Sequence, residues 1–522
     1  MKQKMSLLNR MLLPIAPRLA CEREAWRRHA QRNFYAAADR SPRSAGMAQS
    51  NTTGEQANQG AREIIRARAR DLERNSDVMN SLLLAFERNV IGSGIVLQAK
   101  IRSADGTEEE ALNSRIERLW RRWCRPGSCE VSGRFGFREV LALCLRRRLV
   151  DGGILVIRSY FEGRYQLQLL EVDDLDTTVQ GHEGRRVIGG IEVDDYRRAL
   201  AYHIRVYDAW GFPVETRRIP ADRVSYLSCL TRTSQIREIS PAAPSVGRVD
   251  DLNELLDAAE EKERVQCHFS MAIKKTEGTL SGGLAGLGRG FGQAQREENR
   301  EPPAELLEQG MVVYLNPGEE VQPISQAGTS STVDPLVRTA QRLAGSSVGL
   351  SYEVASRDMS QVTYSSARQG LLEDQKTYRG LQTWLIDHLC ETVYEEWLDW
   401  MVLSGRLDLP GYERDAQRYQ EHVWLCSGWD WIDPLKEANA NRIALETGQT
   451  TMQALCAARG TDWKEVAEQR AQERAYLEQL GLLDNGGMKD GKTDGKPAGG
   501  GTAGAPERTA GMPGGRGAAR TV

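Results

Sequence analysis

Residues 245–343 run out along one helix, cross a stretch that cannot stay helical, and return along another. From 245 to 274, Val249, Leu252, Leu255, Leu256, Ala259, Val265 and Phe269 form an apolar stripe at helical spacing. Acids come early in this segment and Lys274 and Lys275 close it, the charge order that suits a helix dipole. Glu260, Glu261 and Glu263 read as a solvated face or an edge paired with a neighbouring subunit. Residues 278–292 are glycine-rich and read as a flexible insertion, without the strand and spacing a nucleotide cradle needs. Residues 311–315 and 320–324 read as a small hairpin around Asn316-Pro317-Gly318, and 334–343 as the returning helix. The sum is a stalk projecting from a mixed body, an α+β chain.

The returning helix leads into residues 349–376. Tyr352 and Val354 alternate with polar residues as in a strand, until Ser356, Asp358 and Ser360 break the pattern. Ser365 or Ser366 can cap a following helix whose apolar side carries Ala367, Leu371 and Leu372. The joint is a short polar loop: Arg357, Asp358, Met359, Ser360, Gln361, Val362, Thr363 and Tyr364. It holds neither glycine nor proline and no catalytic constellation, so it suits touching a partner without reacting with it.

The body precedes the stalk. Residues 61–97 give a helical pattern on Ile64, Ile65, Ala69 and Leu72, a second one over 78–86, a Gly92-Ser93-Gly94 turn and a strand at 95–97. Residues 107–123 form an amphipathic helix on Leu112, Ile116, Leu119, Trp120 and Trp123, and 135–150 another. Arg146, Arg147 and Arg148 point around that helix in different directions, as a solvated rim or as inter-subunit pairs. Strands are expected at 154–160, 165–172, 188–193 and 201–207. Glu171, Asp173, Asp174 and Asp176 cluster at a strand end; they lack the glycine of a calcium loop and read as solvated. After residue 380 the chain is helical and dense in tryptophan (Trp384, Trp397, Trp400, Trp424, Trp429, Trp431), the mark of a packed core or an interface. Helices continue at 437–446, 451–458 and 463–480, and 484–522, almost free of hydrophobics, reads as disordered.

With 522 residues, the chain has room for several domains. Its net charge of −3 is not that of a strong nucleic-acid binder, so any contact with DNA is loose. The first fifty residues are the exception, ten Lys and Arg against three acids, and residues 1–60 read as a flexible basic arm. Nine scattered cysteines without a C-x-x-C pair fit reduced thiols, and the Cys124/Cys129 pair has no histidine near it to suggest zinc. No apolar run approaches the length of a membrane span, and the N-terminal apolar stretch is interrupted by Asn9, Arg10, Pro14 and Pro17. No cofactor or metal is expected.

Two motifs match by letter alone. Residues 486–493 fit G-x-x-x-x-G-K-[ST], but no strand precedes them and no helix follows. Residues 345–349 fit G-x-S-x-G with Ser347 in the nucleophile's place, yet a helical pattern precedes them, and helix termination by Gly345 and Gly349 explains the same letters.

Two blocks carry a resemblance. Arg66-Ala67-Arg68-Ala69-Arg70-Asp71-Leu72-Glu73-Arg74-Asn75, followed by Asn89-Val90-Ile91-Gly92-Ser93-Gly94-Ile95, is one. Tyr352-Glu353-Val354, Arg357-Asp358, Ser360, Tyr364-Ser365-Ser366-Ala367-Arg368 and Gly370-Leu371-Leu372-Glu373 make the other. In this order they resemble the lambda-type family of tailed-phage portal proteins, over roughly residues 20–480. The family shows an arginine, a glutamine and an Arg-Gly pair between the blocks. This chain keeps Arg232, Gln235 and Arg237 but has Glu238 where glycine is expected.

The resemblance implies a portal-type fold: a basic arm (1–60), an α/β wing (61–240), a first stem helix (241–274), a clip-like insertion (275–332) and a second stem helix (333–348). A tunnel loop and helix (349–380), a helical crown (381–483) and a disordered tail (484–522) complete it. It implies a dodecameric ring at one capsid vertex, in the virion and beforehand in the host cytoplasm. The ring would carry double-stranded DNA along its axis, and bind the large terminase subunit, the major capsid or scaffold protein and head-completion proteins. The family has no catalytic residues. Residues 357–364 would then graze DNA, and Lys274 and Lys275 would form basic rings in the channel. Two other classes compete: a serine hydrolase using Ser347, and a monomeric DNA-binding adaptor using the basic arm.

Overall fold

The computed structural model describes residues 11, 14–30, 51–103, 105–268, 272–275, 319–322, 330–360, 363–429 and 433–482. Helix α1, Pro17–Ala30, lies within the expected basic arm. The arm's last turn is docked on the body: α2, Gly54–Gln59, is capped by Thr53, which accepts from the Gln56 N–H. Its Glu55 is buried.

Helix α3, Arg62–Asn75, follows at once, and its i, i+4, i+8 spacing puts Arg62, Arg66 and Arg70 on one face. Arg62 donates to Glu55 (2.6 Å) and to the carbonyl of Glu238 (2.9 Å). Arg66 meets Glu238 (3.0 Å) and Asp173 (2.9 Å). Arg70 grips Asp151 with two bonds, 2.7 and 2.9 Å, and also reaches Glu171 and Asp173. Glu55 in turn accepts from the N–H groups of Ile236 and Arg237. The carboxylates at 171 and 173 are therefore partners of the arginine helix at a strand end that stays largely solvated. Asp176 is buried, accepting from the Thr178 and Thr216 hydroxyls at 2.6 and 2.5 Å.

Helix α4, Asp77–Phe86, continues through a π turn at Glu87–Ile91 to strand β1, Val96–Ala99. Helices α5, Glu110–Trp123, and α6, Phe137–Val150, match the expected patterns. In α6, Arg146 pairs with Glu73 and Glu87, and Arg147 with Glu73 and Asp151. These are bonds within the chain, not a rim or a subunit contact.

Gly152, at φ +91, turns α6 into the first central strand; a Cβ there would lie 2.5 Å from the Ile239 carbonyl carbon. Strands β2, Gly153–Phe161, and β3, Arg164–Glu171, form a hairpin. Five more strands follow: β4, Gly181–His182; β5, Arg185–Ile188; β6, Ile191–Val193; β7, Ala199–Tyr207; and β8, Pro213–Pro220. They make an antiparallel meander in that order, and β9, Val224–Ser228, returns to pair with β2, giving the order β3-β2-β9. The period-2 alternation of a strand lets β2 serve two cores. Ile154 and Val156 enter the larger one, Leu155 and Ile157 the smaller one against β6 and β7. Each such side chain contributes about 1.5–3 kcal/mol on burial.

Helix α7, Ala243–His268, ends before the expected lysines. Lys274 and Lys275 lie on strand β10, Ala272–Lys275, which pairs antiparallel with β11, Glu319–Gln322. They close a strand, so the helix-dipole argument does not apply to them. Of the expected 311–324 hairpin only 319–322 are described, as a strand that pairs with β10, while 311–318 and the glycine-rich 278–292 lie outside the described residues. Helix α8, Ser330–Ser347, is longer than the 334–343 expected, and packs against α7.

Helix α9, Tyr352–Ser356, leads to α10, Tyr364–Leu385, which passes through a π turn, Ile386–Cys390, into α11, Glu391–Leu403. Trp397 is fully buried, with its ring 5.1 Å from Trp120 and 6.0 Å from Tyr394, so the tryptophans of this region do build a core. Helix α12, Ala416–Tyr419, precedes β12, His422–Leu425, which pairs with β1. Helices α13, Pro434–Glu446, and α14, Met452–Ala457, complete this unit. A second unit, 462–522, holds α15, Trp463–Gln479, capped by Asp462. Trp431 and the 484–522 tail lie outside the described residues.

Arg237 is buried against Glu238, whose carboxylate also accepts from Arg66 and the Tyr226 hydroxyl. Burial opposes the charge, but Arg237 and the other donors hold the Glu238 carboxyl at about 2, against 4.5 in an open chain. A carboxyl depressed on folding stabilises fully above its unfolded value and loses that as pH falls through its folded value. The unfolding midpoint should therefore drop between pH 4.5 and 2 in the parent chain, and this part of the drop should vanish in Glu238→Ala. That variant leaves Arg237 without its counter-charge and should lose about 3–5 kcal/mol in urea unfolding at neutral pH.

Candidate nucleic-acid interface

The segment joining α8 to α10 is clamped at its base and open at its tip. Gly349 ends α8 at φ +79, where a side chain is strained, and a Cβ would sit 3.2 Å from the Thr377 hydroxyl. Two residues on, the backbone N–H and hydroxyl of Ser351 both donate to Asp374 on α10, at 2.8 and 2.5 Å. Asp374 is almost fully buried, and that burial raises its carboxyl above the usual range. This hook turns Tyr352–Ser356 into the helical turn α9 instead of the strand that its alternation suggested. Ser81 of α4 fastens the far side, donating to the Ala355 carbonyl at 3.0 Å.

Arg357 caps α9 in the left-handed region at φ +58, its N–H donating to the Glu353 carbonyl. Its side chain is exposed and has no ion-pair partner among the described residues. Asp358 is the organiser of the tip. It accepts from the Ser360 N–H (2.9 Å) and the Tyr352 hydroxyl (3.1 Å), while its own N–H donates to the Ser356 hydroxyl. The Ser360 bonds, with that of Tyr352, hold the Asp358 carboxyl below the usual carboxylate range. Beside Arg357, the ionised Asp358 leaves the tip with no net charge. Met359 stands 60 % exposed at the crest.

Gln361 and Val362 lie outside the described residues. Thr363, not Ser365 or Ser366, caps α10: its hydroxyl accepts from the Ser366 N–H, and the Ser366 hydroxyl answers it at 3.0 Å. Tyr364 is the first residue of the helix rather than the last of the loop. The candidate set therefore splits into Arg357, Asp358, Met359 and Ser360 on the tip, and Thr363 and Tyr364 at a helix start. Lys274 and Lys275 belong to β10, on a separate two-stranded element. Two arginines of α8 escaped the sequence reading: Arg342 lies 5.0 Å over the Tyr352 ring, and Arg338 pairs with Asp334. Their i, i+4 spacing on the returning helix was the available signal.

The competing chemistry finds no site. Ser347 lies in the last turn of α8 and donates its hydroxyl to the Ala344 carbonyl at 2.8 Å, as a helix terminator does. His388 faces the Trp384 carbonyl and ring, and His422 faces Glu391. Burial pushes the Cys124 thiol well up and that of Cys129 to about 12, so both stay protonated and neither is poised to bind a metal. Among the described residues no group of His, Cys, Asp and Glu could hold a metal ion, and no helix is long and apolar enough to cross a membrane. The 486–493 match lies outside the described residues.

Residues 40–382 match the family model described as phage portal protein, lambda family. That is more than half of the chain, and it takes in the arginine helix, the three- and five-stranded sheets, α7 to α9 and most of α10. The chain belongs to the lambda family of phage portal proteins. A probable portal protein of Halomonas phage phiHAP-1 is 27% identical over 435 residues, covering 80% of this chain and 82% of that one. Portal protein B of Escherichia phage lambda is 22% identical over 449 residues, 80% of this chain and 84% of that one. Among solved structures, the neck of a native GTA particle computed with C12 symmetry shares 13% identity at a TM-score of 0.43, over 77% of this chain and 98% of that one.

A lambda-family portal protein is structural and not an enzyme, and its role is that of the channel for packaging DNA. For this portal chain an active-site serine probe should give no labelling by mass spectrometry. Labelling that disappears in Ser347→Ala would overturn this assignment.

Proposed function

We propose that the chain closes into a ring of twelve at one vertex of the capsid, with duplex DNA passing along the axis during packaging and ejection. Helices α7 and α8 serve as the stem, and β10 and β11 as the base of the clip. Residues 349–380 supply the tunnel loop and helix, the strands before residue 240 the wing, and the helices after 380 the crown. The ring docks the large terminase subunit and later the head-completion proteins, and its outer surface meets the capsid or scaffold protein. It forms in the host cytoplasm and remains in the virion.

One observation carries the reading: an out-and-back helix pair runs directly into a tip that is clamped at its base, exposed at its crest and neutral overall. A channel must let DNA slide. One residue in a twelve-fold ring is presented twelve times, so even a modest attraction at each copy would hold the duplex. The Arg357–Asp358 neighbourhood offers phosphate a guanidinium and a carboxylate together, and Met359 offers an apolar crest. Contact without grip is the outcome. Lys274 and Lys275 are the second basic level, facing Glu320 and Glu319 across the strand pair.

Native mass spectrometry and negative-stain imaging of the purified chain should show a closed ring of about a dozen copies, a count that the family alone suggests. A chain that stays monomeric in the presence of scaffold and terminase would sink the ring. Arg357→Ala combined with Met359→Ala should keep the ring and change both packaging rate and DNA retention. Its retention should also depend less on salt, by a slope of about 0.9 for each phosphate contact removed. Unchanged packaging and retention would move the DNA contact elsewhere.

A further inference from the structure

Three consecutive arginines close α6, and only two of them have acids. Arg146 and Arg147 are satisfied by Glu73, Glu87 and Asp151. Arg148 points to the other side, over the Trp384 ring at 4.1 Å, and no ion pair reaches it among the described residues. Its Nε is buried without an acceptor. Burial pulls this guanidinium down from its usual range, with no carboxylate beside it to restore it.

Arg148 lines a cavity of about 460 Å³ between the β6–β7 face and the C-terminal end of α10. A second orphan donor opens into the same space. Gln235 is only 4 % exposed, and its Oε1 accepts from the N–H groups of Thr231 and Arg232, both at 2.7 Å. Those two bonds fix the amide's orientation, because only the carbonyl end can accept. The Nε2 end is left buried and without a partner, on a residue that lines the cavity. The lining contains a second arginine, Arg197, and no Asp or Glu. Ile191, Val193 and Tyr202 supply apolar wall.

A buried donor left without an acceptor is costly, and an unpaired charge taken out of water is costlier still. Two such donors on residues that line one acid-free cavity are the complement of an anion with an apolar body. We propose that this cavity is a binding site for a carboxylate, with the guanidinium of Arg148 and the Nε2 of Gln235 as its donors and the β6–β7 face as its apolar wall. Arg197 is exposed and donates to the Thr233 carbonyl, which leaves the half-buried Arg148 as the enclosed cation, so a monoanionic carboxylate fits better than a dianionic phosphate, whose second charge would be desolvated without compensation. The size is that of a small-ligand pocket, far below the extended basic surface a duplex requires. The carboxylate comes either from a free small acid or from an Asp or Glu of a second copy seated beside this face. The site does not depend on the portal reading.

The test uses the full chain and 3-phenylpropionate as probe, followed by saturation-transfer NMR, with 3-phenylpropanol and phenyl phosphate as neutral and dianionic comparisons. If the ligand is a free acid, the probe binds saturably and in preference to both comparisons. Arg148→Met and Gln235→Leu then each weaken it at least tenfold, while self-association by mass photometry is unchanged. If the carboxylate belongs to a second copy, the associated form excludes the probe, the dissociated form binds it, and Arg148→Met weakens self-association at least tenfold. Arg148→Met removes an uncompensated buried charge, so its unfolding midpoint should equal or exceed that of the parent chain, which keeps the comparison clean. Absence of saturable binding together with unchanged self-association in Arg148→Met would reduce the site to a hydrated cavity and overturn the proposal.

Discussion

Everything in the body depends on the charged face of α3. Arg62, Arg66 and Arg70 reach four places far apart in sequence: Glu55 before the helix, Asp151 at the end of α6, Glu171 and Asp173 at the end of β3, and Glu238 before α7. Where these pairs are buried, as at Arg62–Glu55 and Arg66–Glu238, they are poor sources of net stability, because desolvating the partners offsets most of the attraction. They are strong arbiters of geometry, since any misplacement strands a charge in a dry interior. The ladder therefore sets where the elements meet, and the apolar cores fill in around it.

The second organising element is β2, buried on both faces over residues 153–158. Its alternation separates a large helix-lined core from a small sheet-on-sheet core without any linker between them. Arg158, at the end of that buried run, ties it to α11 through Glu396 at 2.6 Å and to the Asp222 carbonyl. The strand region and the tryptophan-rich helices thus share a wall.

Local periodicity was legible in the sequence. The apolar spacing of α5 and α6, the alternation of β2 and the out-and-back of α7 and α8 all come from contacts within a few residues. Where a distant partner decides, local reading fails. Tyr352 and Val354 alternate as a strand would, yet Ser351 is hooked to Asp374 and the chain turns helical. Lys274 and Lys275 look like a helix end only until β11 pairs with them. Glu238 stood where the family resemblance expects glycine, and nothing near it in sequence reveals that Arg66, more than 170 positions earlier, makes it the centre of a buried knot. Of the candidate site, the tip 357–360 was readable from its polar letters. The orphan donors Arg148 and Gln235 were not, because an unmet hydrogen bond shows only once its surroundings are known.

The pairing of Lys275 with Glu319 has an evolutionary consequence. The chain leaves and re-enters this strand pair at positions directly opposite each other, so the two ends of the sequence between them are fixed side by side. Joining two fixed ends by a longer segment costs closure entropy that grows only logarithmically with length, about 0.6 kcal/mol for each doubling. A lineage can therefore vary the length of chain between Lys275 and Glu319 while this strand pair and the body stay as they are.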